Sequence, residues 1–291
     1  MADLERARSF ILTSARLLER RRFARLFDGG PAEPVLTALA AYQNADGGFA
    51  AALEPDVRAP TSQPVCMQMA LEILDEADGF SSPMLGAALA WLEVASTPEG
   101  GVPTALPSLM DYPHAPWWRA ADAEPPAGLN PTAAIAGLLL GHGVDHPWVE
   151  RAAAFCWRAI EGSETAEFHD LMPMIEFLEH APDRPRAEAE LERIRGRITA
   201  QGLAAMEVDA EGYVHKPLEW APAPSSPCRR LFSDEVMARH LQALSDSQQE
   251  DGGWPIFWPP LSVAAEQEWR GVMTLRALKT LQAYGFLGGR A

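Results

Sequence analysis

Two stretches of this chain, far apart in sequence, spell the same turn. Leu39, Gln43, Gly47, Gly48 and Phe49 recur with identical spacing as Leu244, Gln248, Gly252, Gly253 and Trp254. A weaker copy runs Leu92, Ser96, Gly100, Gly101 and Val102, and a partial one, Glu211-Gly212-Tyr213, follows Leu203 with one glycine missing. A leucine one helical turn before a glutamine reads as the end of a helix. The glycine pair then admits a positive-φ turn, over which the aromatic side chain can fold back. The glutamine amide is placed to meet carbonyls left over at a helix end. The unit is a helical hairpin, which cannot bury its apolar face alone, so several must stack around a shared core.

Between the turns the periodicity is helical and strand signals are nearly absent. Helices are expected over Ala2–Phe27, Pro34–Gln43, Ser62–Leu74, Pro83–Ala95, Pro131–Leu140, Trp148–Ile160, Glu167–Glu179, Arg186–Thr199, Asp234–Leu244 and Glu268–Tyr284. Ser82-Pro83 and Asn130-Pro131 each offer a capping side chain before a proline in the first turn, and Gly285 is a natural stop. After each turn comes an irregular, often proline-rich stretch and then a helix with a polar opening, as in Ser62-Gln63-Pro64. The expected organisation is one domain over 1–291.

The spacing Gln43/Gly47/Phe49 and Gln248/Gly252/Trp254 resembles the Q-x3-G-x-W (QW) motif of the prenyltransferase and squalene-cyclase repeat family, which includes terpenoid cyclases and protein prenyltransferases. The chain is similar to small stand-alone bacterial members. The resemblance covers about Leu39 to Tyr284 and implies an all-α fold, an α/α toroid with room for irregular hairpins and long proline-rich loops at one end. It also implies a hydrophobic cavity that takes isoprenoid chains, with the inner helices starting at its mouth just after the Gly-Gly-aromatic turn. The repeat is a packing device, so function has to be argued from the site.

Composition narrows the partners. No apolar run approaches the ~20 residues needed to span a bilayer, and the charged start Met1–Arg8 is not a signal peptide. Cys66, Cys156 and Cys228 show no pairing pattern, so a reduced, cytoplasmic protein is expected. A net charge of −16 disfavours nucleic acid and anionic membrane surfaces. Five of the nine tryptophans, Trp117, Trp118, Trp220, Trp254 and Trp258, fall in proline-rich loops rather than periodic segments.

The known chemistries of the family can be looked for residue by residue. Class II cyclases protonate an alkene from an Asp-x-Asp-Asp motif, which is missing; the nearest cluster is Glu54-Pro55-Asp56, followed by Arg58. The Asp, Cys and His that hold zinc in protein prenyltransferases have no counterpart at an inner-helix start, and His142 and His146 fall in a glycine-rich turn beside Asp145, a candidate helix cap. The Asp-rich magnesium sites of class I cyclases are also missing. No metal and no cofactor is therefore expected. A prenyl diphosphate would need clustered cations, yet Arg58, Lys216, Arg229, Arg230 and Arg270 are interleaved with Glu54, Asp56, Glu219, Glu266 and Glu268.

The candidate catalytic residues are Glu54, Asp56 and Glu268, the last read as opening the final inner helix. The candidate substrate-binding residues are Arg58, Trp117, Trp118, His215, Trp258, Trp269 and Arg270. One reading is a small-molecule-binding toroid that acts on an apolar or cyclic isoprenoid-type molecule by acid-initiated chemistry, with aromatic faces steadying a developing cation. A second is a carbohydrate-active toroid with paired carboxylates, and a third a non-catalytic binding or scaffold protein. The sequence leaves open whether the chain is an enzyme.

Overall fold

Small polar residues and prolines start most of the helices. Asp3 accepts from the backbone N–H groups of Glu5 and Arg6, Ser82 from Met84, Ser233 from Val236, and Ser262 from Ala265. In this computed structural model, which describes residues 1–120 and 122–287, the helices are α1 (Leu4–Ser14), α2 (Leu17–Asp28), α3 (Glu33–Ala40), α4 (Pro64–Glu76), α5 (Pro83–Ala95) and α6 (Leu129–Gly141). They continue as α7 (Pro147–Glu161), α8 (Phe168–His180), α9 (Arg184–Ala200), α10 (Pro217–Trp220), α11 (Asp234–Asp246) and α12 (Val263–Ala283). Among the described residues extended pairing is limited to isolated bridges, and no helix is long and apolar enough to cross a membrane.

Several boundaries differ from the sequence expectation. The helix expected over Ala2–Phe27 is broken at Ala15 and Arg16, both extended. No glycine or proline marks the break. Gly271 of α12 approaches there, and a Cβ on it would lie 3.1 Å from that of Ala15. His146, not Asp145, caps α7, its Nδ1 accepting from Trp148 N at 3.2 Å. The helix assigned to α6 starts at Leu129, ahead of the expected Pro131, and Asn130 within it keeps the extended backbone (φ −94°, ψ 117°) favoured before a proline. The last helix begins at Val263, which puts Glu268 in its second turn rather than at its opening.

The chain forms two compact units, a middle one (Pro31–Glu192) and a terminal one (Met1–Gly30 with Arg193–Ala291). In the middle unit α6 packs against α4, α7 and α8, and α7 also packs against α5 and α8. Every α6 residue from Pro131 to Leu139 is buried, the mark of a helix enclosed on all sides. The outer helix α7 buries only a stripe of Trp148, Val149, Ala152, Cys156 and Ile160. In the terminal unit α12 packs against α1, α2 and α11, around Phe10, Ile11, Phe23, Leu241, Trp254, Leu275, Leu278 and Leu281.

The repeated turn has one geometry in its three fuller copies. Its backbone closes through Asn44 N to Gly48 O at 2.8 Å, Thr97 N to Gly101 O at 2.9 Å, and Gln249 N to Gly253 O at 2.8 Å. The first glycine is left-handed each time, with φ of +92° at Gly47, +100° at Gly100 and +93° at Gly252. It sits against a helix carbonyl, that of Ala87 in α5, Arg151 in α7 and Arg6 in α1 respectively. The second glycine lies under an aromatic ring four residues further along the same helix: Trp91, Phe155 and Phe10. The glutamine ties the two parts together. Gln43 Nε2 donates to Gly47 O (2.9 Å) and to Met84 O at the start of α5 (3.0 Å), and Gln248 Nε2 donates to Gly252 O and Asp3 O (2.9 Å each). Ser96 stands where the glutamine would be in the third copy, and there Trp148 Nε1 crosses to Ser96 Oγ at 2.6 Å. In the partial copy Gly212 has the same hand (φ +86°) but nothing within 4 Å of a Cβ placed on it.

Alanine at Gly47 or Gly252 would combine a strained left-handed backbone with overlap on a helix carbonyl. Each is expected to cost about 3 kcal/mol or more. Gly143→Ala, at φ +64° in open space, should cost about 1 kcal/mol. Urea denaturation of the three variants checks the difference.

Candidate functional site

The loop that leaves the Gly47–Gly48 turn is held on both sides. Ala51 N donates to Ala59 O at 3.0 Å and Ala52 N to Val57 O at 3.1 Å, closing 51–59 on itself. Ala51 and Ala52 both take positive φ, 56° and 61°. Left-handed alanines cost roughly 1 kcal/mol each or more, and such strain persists only where the surroundings over-determine it. Directly after them come two buried carboxylates, Glu54 at 4% exposure and Asp56 at 0%. Glu54 Oε2 accepts from Asp56 N at 2.9 Å, so the pair is locally ordered.

This loop meets the other proline-rich segment of the unit. Val57 and His114 form an antiparallel bridge, Arg58 N donates to Pro113 O at 3.1 Å, and Ala115 N donates to Asp56 O at 3.0 Å. Trp118 N then donates to Ala115 O at 3.0 Å. The structure thus brings Glu54, Asp56 and Arg58 together with the segment bearing Trp117 and Trp118. Trp117 is 48% exposed, whereas Trp118 is half-buried. The start of α4 supports the arrangement from beneath. Buried Gln63 accepts from Leu106 N at 2.9 Å and donates to Ser108 Oγ at 3.1 Å, pinning the stretch before the tryptophans. The polar opening Ser62-Gln63 was visible in the sequence, but its partner at Ser108 lies across a gap that no spacing rule predicts.

The remaining candidates lie in the terminal unit. Arg270 donates twice to Asp251, at 2.8 and 2.7 Å, reaches Trp254 O at 3.4 Å, and stands 4.7 Å over the ring of Phe10. The hydrogen bond from Arg270 is the main reason that the Asp251 carboxyl lies below its ordinary range. Arg270 therefore braces the turn, since Asp251 Oδ1 also accepts from Gly253 N at 3.0 Å. It also lines an open groove of about 570 Å³ with Asp251, Glu250, Pro255, Ile256 and Glu266. Trp258 and Trp269 stack edge to face at 5.2 Å, Trp269 being buried. Glu268 precedes Trp269 on α12. His215 Nδ1 lies 3.1 Å from Glu219 Oε1, and Glu219 Oε2 accepts from Lys216 N, so this trio starts α10.

The two histidines with metal-like spacing diverge. His142 Nε2 bonds Asp75 Oδ1 at 2.7 Å and stacks on Phe80, while His146 caps α7. Among the described residues no group of His, Cys, Asp and Glu is placed to hold a metal ion. Cys66, Cys156 and Cys228 are buried free thiols, and burial pushes the Cys156 thiol far up.

Comparison with solved structures is informative about the fold. A protein from Actinoplanes aligns over 96% of this chain and 98% of its own, with a TM-score of 0.60 and 15% identity. A variant of the type II terpene cyclase MstE from Scytonema, in complex with geranylgeranyl dihydroxybenzoate as substrate, aligns over 95% of this chain and 97% of its own, with a TM-score of 0.53 and 13% identity. The chain has a terpene-cyclase fold. A second MstE variant with the same substrate covers 94% of this chain and 88% of its own, with a TM-score of 0.50 and 14% identity. No family model and no curated protein matches the sequence. The all-α, toroid class expected from the repeated turns is the class of this terpene-cyclase fold.

Two measurements follow from the loop and the brace. Ala52→Gly relieves a left-handed alanine and should raise stability by up to about 1 kcal/mol in urea denaturation, the flexibility glycine adds to the unfolded chain offsetting part of the gain. Arg270→Gln should lower stability at neutral pH by roughly 0.5–1 kcal/mol, because half-exposed ion pairs are weak. Asp251 is depressed from its usual value of 3.8. The stabilisation from this pair is therefore present above that value and lost as pH falls through the lower native one, so wild type and Arg270→Gln should converge in acid.

Proposed function

We propose that the chain binds an apolar, isoprenoid-type small molecule and transforms it by acid-initiated chemistry, with Glu54 and Asp56 as the acid pair. The observation that carries the reading is the burial of both carboxylates on a strained loop directly after the repeated turn, beside Arg58 and the Trp117–Trp118 segment. A carboxylic acid can give its proton to an alkene only where its surroundings keep it neutral and then tolerate the charge left behind. The proton adds to one alkene carbon, and the positive charge appears on the other. Ring closure moves that charge along the molecule, and loss of a proton to a carboxylate or to solvent ends the sequence. Tryptophan faces, here Trp117 and Trp118, are suited to steady such a cation.

In this reading Arg58 balances the charge left on the acid pair. Glu268, Trp258, Trp269, Arg270 and His215 are the second set of proposed ligand contacts, with Glu268 as a further acid. The chain works as one domain over 1–291 and needs no cofactor. The structural neighbour MstE is described with a geranylgeranyl dihydroxybenzoate substrate, and this supports an isoprenoid chain as the first class of compound to try.

The test is to incubate purified protein with geranylgeranylated and farnesylated phenols and to follow isomeric products by chromatography and mass spectrometry. Asp56→Asn and Glu54→Gln should keep the helical circular dichroism of wild type. At least one should lose turnover by about 10²-fold or more, the usual scale for a general acid. Turnover unchanged in both variants would remove the acid pair from the reading.

A further inference from the structure

Asp3, Ser82, His146, Ser233 and Ser262 each spend their side chain on the helix that follows them. Gln63 holds the same position before α4, with an extended backbone (φ −131°, ψ 143°), yet its side chain makes no bond to that helix. The residue is fully buried all the same. Its amide reaches 43 and 45 residues along the chain, where Oε1 accepts from Leu106 N at 2.9 Å and Nε2 donates to Ser108 Oγ at 3.1 Å. Thr61 Oγ1 donates to the same Ser108 hydroxyl at 3.1 Å. Buried polar groups need partners, and here the partners lie on a separate segment, so the amide fixes that segment rather than the helix start.

The repeated turns show why this side chain is available. Thr132 and Thr274 use their hydroxyls to hold Val102 N and Trp254 N in two of the copies. In the first copy the main chain grips the turn, Gln63 N donating to Phe49 O at 2.9 Å. Gln63 therefore holds the base of the 50–59 loop with its backbone and the Leu106–Ser108 stretch with its amide. From there the path to the acid pair is short and stiff. Met110 N donates to Pro107 O and Tyr112 N to Leu109 O (3.0 Å each), which closes successive turns around buried Leu109. The residues that follow are the ones that pair with the loop, Pro113 O with Arg58 N and Ala115 N with Asp56 O. A displacement of Leu106–Ser108 would thus move the backbone of Asp56 itself.

We propose that Gln63 is a positioning residue: its amide sets the register in which the Trp117–Trp118 segment meets the Glu54–Asp56 loop, and with it the rate of the proposed reaction. It acts through Asp56 and Arg58 rather than on a ligand. A reacting group misplaced by about 1 Å costs on the order of 10²-fold in rate, so a register set away from the chemistry still counts. The catalytic part of this inference rests on the acid-initiated reading, and the mechanical part does not.

Gln63→Met keeps the length of the side chain and removes its bonds, whereas Ser108→Ala removes one of them. Hydrogen exchange on the full chain, read by mass spectrometry on peptides covering 53–59 and 113–118, tests the mechanical part. Protection there should fall by about tenfold or more in Gln63→Met, the scale of one buried N–H left unpaired, and by less in Ser108→Ala. Peptides from α12 should stay level. Both changes act on one path, so the double variant should be no worse than Gln63→Met. In the turnover assay with prenylated phenols, Gln63→Met should lower kcat by about tenfold or more and leave KM within about threefold of wild type. A side chain that only supports the fold would lower the melting temperature and leave kcat per folded molecule unchanged, and that result overturns the catalytic part. Unaltered exchange at 53–59 and 113–118 in both variants overturns the whole. Should Gln63→Met fold poorly, Ser108→Ala decides alone, and wild-type protection in it would overturn the proposal. A wild type inactive on every prenylated phenol removes the reaction and the catalytic part together, and exchange then decides the rest.

Discussion

The contact on which the rest depends is that of a left-handed glycine with the carbonyl side of a helix. Any side chain at Gly47, Gly100 or Gly252 would push the turn off α5, α7 or α1. With the turn displaced, the glutamine amide could not reach the start of the neighbouring helix and the aromatic ring could not lie on the second glycine. Three interactions of different kinds, a steric fit, an amide bridge and a ring contact, thus rely on one backbone conformation. The partial copy illustrates the point from the other side. Gly212 keeps the same hand but has no helix against it, and Tyr213 after it is exposed.

The docking partners also obey a rule of their own. Each helix that receives a turn offers a carbonyl and, four residues later, an aromatic ring: Arg6 and Phe10, Ala87 and Trp91, Arg151 and Phe155. Four residues is the spacing that puts two positions on one helix face. The turn and its receiver therefore form a matched pair, and the receiver half carries no obvious signature, because the contacting atom at its first position belongs to the backbone. On the inner side, Thr132 and Thr274 hydroxyls take up the N–H groups of Val102 and Trp254, at 2.9 and 3.0 Å, so these two turns are gripped from both neighbours, and in the first copy Gln63 N donates to Phe49 O at 2.9 Å. A loop that starts from such a fixed point can be strained and can bury carboxylates, as 50–58 does.

Three sets of acidic side chains meet contrasting surroundings. Asp46 and Asp251 spend their charge on the N–H of the second glycine, and Asp251 adds a two-pronged bond from Arg270. Glu54 and Asp56 are enclosed in a loop. Glu176 is crowded by its own kind at a helix seam. The first group strengthens structure, since each charge meets a donor. At Glu176 burial and like neighbours hold the carboxyl above its ordinary range.

What the sequence determined by itself is the hairpin. Leucine, glutamine, paired glycines and an aromatic at fixed spacing demand a helix end and a left-handed turn, whatever surrounds them, because the restriction is local and steric. Helix content, the Ser82 cap and the polar opening of α4 were legible for the same reason. Tertiary contact decided the rest. The break at Ala15–Arg16 has no local breaker and coincides with the approach of Gly271 from α12. Glu268 lies inside a helix rather than at its start, because Ser262 supplies an earlier cap. The joining of 56–58 to 113–115 is made by backbone groups, which every residue carries, so no side-chain pattern could announce it. Nothing in the sequence around Glu176 sets it apart. Only the packing of α4, α6 and α8 shows that its neighbours are acids and that its helix touches another at backbone distance.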